Sequence, residues 1–324
     1  MKTVVVITTG GTIAMKYDEA SGGLVPAVSG DDLVSAVPAL KDVAKIEVAE
    51  FSNVPSGHMT PAMMLELSRL ADKYCRREDV AGVVITHGTD TLEETCYLVG
   101  LTARTGKPIV VTGAMRGASD TGPDGGANIL AAVRTAACPA AEGKGALLVL
   151  NDEIHGAAEV TKAHTTSCST FASPGWGPIG HVYFDRVVIR RQPLNLQKIQ
   201  PEALCEDVYL LKAYAGMDSY LFRCLAEKPC QGLVVEALGC GNVPLPVKAG
   251  IELVRRKGIP VVLASRVQAG RVVKAYSYEG SAVSLQEAGI IMAGELTGQK
   301  ARLKLMAALG ITKDAAELQK YFDN

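Results

Sequence analysis

Aromatic residues and net charge are both scarce in this chain of 324 residues. Phe, Tyr and Trp together make up 5% of the sequence, which disfavours an aromatic-rich binding module. The 33 Lys and Arg residues nearly balance the 34 Asp and Glu residues, and no long run of one sign occurs. The sequence therefore predicts neither a nucleic acid nor an anionic membrane surface as a partner.

Long hydrophobic runs are also lacking. No segment holds 18 uninterrupted apolar residues, which is close to the length that a membrane-spanning helix requires. Residues 1–10 lack the basic start, the extended apolar stretch and the small-residue cleavage site of a secretory signal. We therefore expect a cytoplasmic protein, unless a presequence was removed before this numbering begins.

The eight cysteines show neither a metal-binding nor a redox pattern. They are scattered without a C-x-x-C pair and without clustering around the five histidines. Cys168 is the one nearest to a segment with candidate chemistry, and we interpret it as a small packing residue. The sequence predicts free, mostly buried thiols and no metal site.

What the chain does have is an alternation of short aliphatic runs with longer amphipathic segments. The runs are typical of strands buried on both faces, and the helical period between them makes the sheet mainly parallel. The first five runs lie at 3–8, 46–51, 82–86, 108–112 and 145–150. The segment 60–75 begins with Thr-Pro, which suits an N-cap and a first helical turn, and is predicted to be a helix covering the sheet.

The hydrophobic periodicity of the sequence weakens after about residue 186. Residues 190–207 carry prolines and polar residues without strong periodicity, which predicts a linker. A second series of apolar runs and helical segments follows it. We therefore predict two doubly wound α/β domains with mainly parallel sheets, a larger one over 1–189 and a smaller one over 208–324.

Hydroxyl-bearing residues collect directly after the predicted strands. In an open parallel sheet, ligands bind beyond the carboxyl ends of the strands. The segments in question are TTGGTIA after the first strand, THGTDTLEET after the third, TGAMRGASDTGPDGGAN after the fourth and NDEIHGAAEVTKAHTTSCSTF after the fifth. Together they bring hydroxyls, one acid and one amine to one edge of the sheet.

The stretch TTGGTIA, residues 8–14, matches no phosphate-binding pattern. It fits neither G-x-x-x-x-G-K-[ST] nor G-x-G-x-x-G, and the chain has no G-x-S-x-G motif. What remains is Thr12, placed after glycines that let the backbone approach a ligand closely. Taken alone, Thr12 is better explained as a capping or turn hydroxyl.

Thr89 and Asp90, in THGTDT, change that balance because they set a second hydroxyl beside a carboxylate. Asp90 alone would be an ordinary helix N-cap. A hydroxyl needs a nearby base to become a nucleophile. Lys162 is that base if burial favours its neutral form, or it stays charged beside Asp90 and acts electrostatically. The simpler alternative is that Lys162 is a solvated surface lysine.

The two motifs TGGTIA and THGTDTLEET, about 80 residues apart, resemble the signatures of bacterial-type L-asparaginases and glutaminase-asparaginases. The similarity runs in order along nearly the whole chain, through VTGAMR, GANILAAVRTAA, VLNDEIHGAAEVTKAHTTSCSTF and GELTGQKARLKL. It implies hydrolysis of L-asparagine to L-aspartate and ammonia, with L-glutamine as a possible slower substrate. The resemblance implies no metal and no cofactor.

The resemblance also implies a role for each motif residue. Thr12 would attack the side-chain amide carbon and form an acyl-enzyme. Thr89 and Lys162 would order the proton transfers and the attacking water, and Asp90 would bind the α-ammonium group of the substrate. Backbone N–H groups around Gly11 and Thr89 would stabilise the oxyanion.

Further positions are implied to line the substrate. The backbone at Gly11 and Gly88 would border it, and Ser56 would hold its α-carboxylate. Asn242 and, more loosely aligned, Glu279 would reach it from the second domain of a neighbouring subunit. The resemblance therefore implies a homo-oligomer, commonly a homotetramer built as a dimer of intimate dimers.

Two positions depart from the family pattern. The loop after the first strand normally carries a tyrosine that contacts the nucleophile, and here Gly23 and Leu24 stand in its place. Tyr17, several residues earlier, is the candidate replacement, or else an exposed tyrosine. Gly57 stands after Ser56 where many members present a polar side chain, so we expect the affinity or preference for substrate to differ.

Two other functions fit parts of the sequence. A non-catalytic amino-acid-binding protein or sensor on the same fold would account for the missing tyrosine and for Gly57. Amide transfer to or from a charged tRNA is disfavoured by the neutral charge balance and by the lack of a basic module. An assay for ammonia release from L-asparagine distinguishes the non-catalytic binding protein from an enzyme, because only the enzyme releases ammonia.

Overall fold

The computed structural model describes residues 1–11, 13, 15–18, 23–26, 30–194 and 196–323. They divide into an N-terminal unit, Met1–Lys198, and a C-terminal unit, Ile199–Asn324. Each unit has its own mainly parallel sheet. The predicted fold class, a larger and a smaller α/β domain in that order, is confirmed.

The strands of the N-terminal unit are β1 (Thr3–Thr8), β2 (Met15–Asp18), β3 (Gly23–Pro26), β4 (Lys45–Glu50), β5 (Val80–Thr86), β6 (Ile109–Thr112), β7 (Ala146–Leu150), β8 (Glu153–Gly156), β9 (Thr161–Lys162), β10 (Phe171–Ala172), β11 (Gly180–Val182) and β12 (Val187–Ile189). Its helices are α1 (Gly30–Ser35), α2 (Pro61–Cys75), α3 (Leu92–Thr102) and α4 (Gly125–Ala136), with 3-10 turns at Pro38–Asp42, Ser56–His58 and Pro139–Ala141.

The main sheet has the strand order β12-β11-β8-β7-β6-β5-β1-β4. Strands β4, β1, β5, β6 and β7 run parallel, and their register pairs Thr8 with Glu50 and with Thr86, and Thr86 with Thr112. The carboxyl ends of β4, β1, β5 and β6 are therefore level. The loops that follow them lie along one edge of the sheet, where ligands of such sheets bind.

Both faces of the main sheet are buried. Val4 and Val6 belong to a core cluster that includes residues of α4, and Val5 and Ile7 belong to a second cluster that includes residues of α2 and α3. Successive residues of a strand point to opposite faces, so a continuous aliphatic run is what a strand covered by helices on both sides requires. This arrangement explains why β1 reads TVVVIT without a polar face.

Helix α2 begins where the sequence predicts it. Thr60 Oγ1 accepts a hydrogen bond from the backbone N–H of Met63 at 3.2 Å, and Pro61 occupies the first helical position. The proline costs nothing there because the N–H it lacks would have no partner within the helix. Leu67 of this helix is buried in the core cluster that also contains Val5 and Ile7.

Short antiparallel strands depart from the predicted pattern. Strand β8 turns back from β7 at Asn151 and Asp152, whose φ angles are 52° and 62°; Asn and Asp tolerate this left-handed conformation better than other side-chain-bearing residues. Strands β9 and β10 form a separate two-stranded sheet, as do β2 and β3. These elements are two to four residues long, too short for a periodic pattern to predict.

The C-terminal unit is built on a four-stranded sheet in the order β13-β14-β15-β16, all parallel. The strands are β13 (Val208–Lys212), β14 (Gly232–Ala237), β15 (Val261–Ser265) and β16 (Ile291–Met292). The helices are α5 (Tyr220–Glu227), α6 (Leu245–Arg256), α7 (Ala282–Glu287), α8 (Gly298–Leu309) and α9 (Ala315–Phe322). All eight cysteines of the chain are free, but only Cys75, Cys96 and Cys230 are buried and the other five are partly exposed, so the prediction of mostly buried thiols is wrong. Within the described residues, no helix is long and apolar enough to cross a membrane.

Candidate active site

The loop after β1 runs beside the loop after β5. Thr9 donates to the carbonyl of Thr86 with its backbone N–H at 3.2 Å and with its Oγ1 at 2.9 Å. Gly10 and Gly11 follow with φ angles of 101° and 84°, a region that side-chain-bearing residues rarely adopt. Both loops therefore leave the sheet at the same edge, as the strand register requires.

Gly11 and Gly88 meet backbone to backbone. A Cβ atom on Gly11 would lie 2.3 Å from both Cα and N of Gly88, and a Cβ on Gly88 would lie 2.7 Å from Ser56 Oγ. Neither position has room for a side chain. The three loops that carry Gly11, Ser56 and Gly88 are thus in close contact, and the contact between Gly11 and Gly88 is one of backbone against backbone.

Ser56 joins the loop after β4 to the loop after β5. Its Oγ accepts a hydrogen bond from the backbone N–H of Asp90 at 3.2 Å, and its carbonyl accepts from Thr91 Oγ1 at 2.7 Å. Because Oγ is an acceptor in the first of these bonds, its own hydrogen remains available to donate. Gly57 beside it is exposed, and a Cβ there would meet nothing within 4 Å.

Lys162, on β9, contacts both Thr89 and Asp90. Its Nζ donates to Thr89 Oγ1 at 3.0 Å and to Asp90 Oδ1 at 2.8 Å. The lysine side chain is only 17% exposed, whereas the Asp90 side chain is 76% exposed. A solvated surface lysine therefore does not describe this residue. The amine of Lys162 therefore lies within hydrogen-bonding distance of both a hydroxyl and an accessible carboxylate.

His87, the residue before Gly88, is fully buried, and the sequence alone assigns it no role. Its Nδ1 is 2.8 Å from the Gly88 carbonyl, and its Nε2 is 2.9 Å from Thr95 Oγ1. Burial lowers the pKa of His87 to about 4, so the ring is neutral near pH 7. The carbonyl can only accept, so Nδ1 carries the hydrogen and Nε2 accepts from Thr95. His87 thereby fixes the orientation of the Gly88 carbonyl.

Glu93 is a second buried residue that the sequence did not single out. Its Oε1 accepts from Thr161 Oγ1 at 3.2 Å and from the backbone N–H of Lys162 at 3.3 Å. The only sequence signal was its place in TLEET, where a glutamate in the first turn of a helix is ordinary.

The structure gives little information on two predicted residues of the loop after β1, Thr12 and Tyr17. Thr12 lies outside the described residues. Tyr17 lies on β2, where its backbone is paired with that of Leu24 on β3. The residue proposed to replace the family's tyrosine therefore stands directly across a hairpin from a position where that tyrosine is expected.

Asn242 and Glu279 belong to the C-terminal unit. The backbone of Asn242 closes a tight turn with Leu238, with hydrogen bonds of 2.9 and 2.8 Å, and its Oδ1 is buried without a hydrogen-bond partner among the described residues. Glu279 is 68% exposed and pairs with Lys248 Nζ at 3.2 Å. No group of three or more His, Cys, Asp or Glu side chains in the described part of the chain could hold a metal ion.

Comparison with known families adds an independent line of evidence. Residues 3–195 match the family described as "Asparaginase, N-terminal", and residues 207–322 match the "Glutaminase/Asparaginase C-terminal domain". Both matches carry the names that the two sequence motifs suggested.

Individual proteins give the same result. The chain is 34% identical over 313 residues to an L-asparaginase of Bacillus licheniformis, covering 97% of each, and 33% identical over 332 residues to a probable periplasmic L-asparaginase of Haemophilus influenzae, covering 100% of this chain and 93% of the relative. The solved structure of a probable cytoplasmic L-asparaginase from Campylobacter jejuni superposes with a TM-score of 0.87 at 32% identity, covering 99% of both chains.

Proposed function

The chain belongs to the asparaginase family and is an asparagine amidohydrolase, and from that premise we propose that it hydrolyses L-asparagine through an acyl-enzyme on Thr12. L-Glutamine is the proposed minor substrate. The observation that carries the mechanism is the contact of Lys162 Nζ with Thr89 Oγ1 and Asp90 Oδ1. It joins two side chains of the loop after β5 and one side chain of strand β9 into one polar cluster.

In the first half-reaction, the hydroxyl of Thr12 attacks the side-chain amide carbon. The proton of the hydroxyl is transferred to the amide nitrogen, the C–N bond breaks and ammonia leaves. The acyl group remains bound to Thr12 as an ester. We propose Tyr17 as the group that contacts the nucleophile, because its backbone lies opposite Leu24 in the hairpin of β2 and β3.

In the second half-reaction, water attacks the ester and releases aspartate and free Thr12. Lys162 Nζ is a donor to both Thr89 and Asp90, and the ammonium group has three donors and no acceptor. Lys162 then acts electrostatically, leaving the hydrogen of Thr89 Oγ1 free to point at the water or the reacting oxygen.

Substrate selection rests on the charges of an amino acid. Asp90 uses Oδ1 toward Lys162, so Oδ2 can accept from the α-ammonium group of the substrate, and Ser56 Oγ can donate to the α-carboxylate. Backbone N–H groups around Gly11 and Thr89 are the proposed oxyanion donors, and loss of one such donor typically costs about 3 to 4 kcal/mol of barrier.

Ammonia release from L-asparagine by the purified protein tests the function. Thr12→Ala and Thr89→Ala are each expected to lower kcat at least about 100-fold, because each removes a group that acts on the reacting atoms. Wild-type turnover in both variants would refute the mechanism. Saturable binding of aspartate with no ammonia over hours would identify a non-catalytic binding protein instead.

We further propose a homotetramer, a dimer of intimate dimers in which Asn242 and Glu279 of each subunit complete the neighbour's site, and a cytoplasmic location. The exposed side chain of Glu279 is accessible to a second subunit, which supports this proposal. Light scattering coupled to size exclusion tests the assembly, and an active monomer would contradict it. Cell fractionation tests the location.

A further inference from the structure

Lys162 lies on strand β9, which is not part of the main sheet. Among the residues that the structure describes, strand β9 pairs only with β10, through Thr161 with Ala172 and Lys162 with Phe171, in a sheet of two strands. The strand is two residues long, and a pair of such short strands has little stability of its own. The position of the lysine backbone therefore depends on contacts beyond this ladder.

Glu93 supplies such a contact. It is 7% exposed, and its Oε1 receives two hydrogen bonds from β9, from Thr161 Oγ1 at 3.2 Å and from the Lys162 backbone N–H at 3.3 Å. Thr161 is also buried. The first of these bonds is buried and the second is partly buried. A hydrogen bond to a carboxylate contributes more in such surroundings than it does at the surface.

Glu93 lies in the first turn of helix α3, close in the chain to Thr89 and Asp90. Helix α3 begins at Leu92, and Thr89 and Asp90 immediately precede it. The carboxylate thus joins the start of α3 to β9, and the lysine on β9 reaches back to the residues before α3. One residue ties together the two chain segments that must stay in register for Nζ to touch both Thr89 and Asp90.

We propose that Glu93 is a positioning residue for Lys162, a role that rests on the proposed function of the lysine in catalysis. A lysine side chain has four rotatable bonds, so the placement of its backbone decides which atoms Nζ can reach. A displacement of about 1 Å at a reacting group can cost on the order of 100-fold in rate. The hydrogen bond from the Lys162 backbone N–H to Glu93 restrains the backbone from which the lysine side chain extends.

The length and the acceptor oxygen of Glu93 give a ranked expectation for its variants. Glu93→Gln keeps one acceptor oxygen at the same reach, so it should retain most of the activity. Glu93→Asp is one methylene shorter and Glu93→Ala has no acceptor, so both should lower kcat, by about 10- to 100-fold for the alanine variant. Glu66→Ala, an exposed glutamate on α2, is the matched control.

A double-mutant cycle separates positioning from simple support of the fold. Each Glu93 variant is measured alone and together with Lys162→Ala, with kcat and KM from ammonia release and residual turnover followed at high enzyme concentration. If Glu93 acts through Lys162, the alanine variant should cost less than about 3-fold in kcat once the lysine is gone. KM should change less than kcat in the otherwise wild-type protein.

Equal losses of kcat with and without Lys162 would overturn the proposal, because they would show that Glu93 only stabilises the fold. If Glu93→Ala does not fold, Glu93→Asp and Glu93→Gln carry the same comparison, and a Glu93→Gln variant as poor as Glu93→Asp would also overturn it. Wild-type turnover of Lys162→Ala by itself would instead refute the proposed role of the lysine, which distinguishes the two failures.

Discussion

Gly11 and Gly88 approach each other so closely that a Cβ atom on Gly11 would lie 2.3 Å from the Cα and N of Gly88. The obstacle is backbone, which cannot rotate away as a flexible side chain can. The φ angle of Gly11, 84°, adds a second obstacle to any side chain. The loop after the first strand can therefore take its place beside the THGTDT loop only as glycine.

Gly11→Ala is expected to destabilise the protein and to abolish turnover. The strained φ and the backbone clash together should lower the free energy of unfolding by about 2 to 4 kcal/mol, as strain and overpacking usually do. Urea unfolding measures the stability and ammonia release measures the turnover. Gly57→Ala, whose Cβ would meet open space, should change stability by less than about 0.5 kcal/mol; a Gly11→Ala protein as stable as this control would contradict the clash.

Tyr17→Phe is expected to lower kcat about 10-fold or more if this tyrosine contacts Thr12, because the variant loses only the hydroxyl. Since the backbones of Tyr17 and Leu24 are paired, adding Leu24→Tyr to Tyr17→Phe should restore part of the rate. Tyr214→Phe, an exposed tyrosine of the C-terminal unit, is the control. Turnover of Tyr17→Phe equal to that of the control would exclude Tyr17 as the activating group.

His87 predicts a loss of stability in acid. Its pKa in the folded protein is lowered to about 4 from an ordinary value of 6.5, so the stability it contributes is present above pH 6.5 and is lost as the pH falls toward 4. The full effect is about 3 kcal/mol, from 1.36 kcal/mol for each unit of pKa. Urea unfolding between pH 4 and 7.5 should show a steeper decline for the wild type than for His87→Gln. Parallel pH curves for the two proteins would contradict the prediction.

Lys304 predicts a gain of stability in base. It is fully buried on α8, its Nζ has no hydrogen-bond partner among the described residues and lies 4.9 Å from the centre of the Phe322 ring. Burial lowers the pKa of Lys304 to about 8 from 10.5. The charged form is therefore penalised in the folded protein below pH 8, and the penalty of about 3 kcal/mol fades as the pH rises toward 10.5.

Replacing this lysine should remove the penalty. Lys304→Met keeps the volume and is expected to raise the melting temperature at pH 7, with a smaller rise at pH 9.5, while Lys313→Met at an exposed position should change neither value. Melting temperatures at the two pH values provide the check. A lower melting temperature for Lys304→Met at pH 7 would show that the buried amine is stabilised by an interaction other than its contact with Phe322.

The parts of the fold that follow from local pattern were predictable. The aliphatic runs predicted the parallel strands of the N-terminal unit and strands β13, β14 and β15 of the C-terminal unit, but not β16. The Thr60-Pro61 pair predicted the start of α2, which the structure confirms. Short antiparallel elements such as β9 were not predicted. Two residues hold too little periodicity to be seen in sequence, and what fixes β9 is a buried carboxylate contributed by a distant helix.

The sequence by itself determined the family, the α/β class and the identity of the chemical groups, because motifs and hydrophobic periodicity are local properties of the chain. Only the tertiary structure decided that Lys162 meets Asp90, 72 residues away, and that its side chain is largely shielded from solvent. The physical reason is that the strand register levels the carboxyl ends of β1, β4 and β5, and the buried contact with Glu93 brings β9 to the same place. Neither the strand register nor the contact with Glu93 can be predicted from a single segment of the sequence.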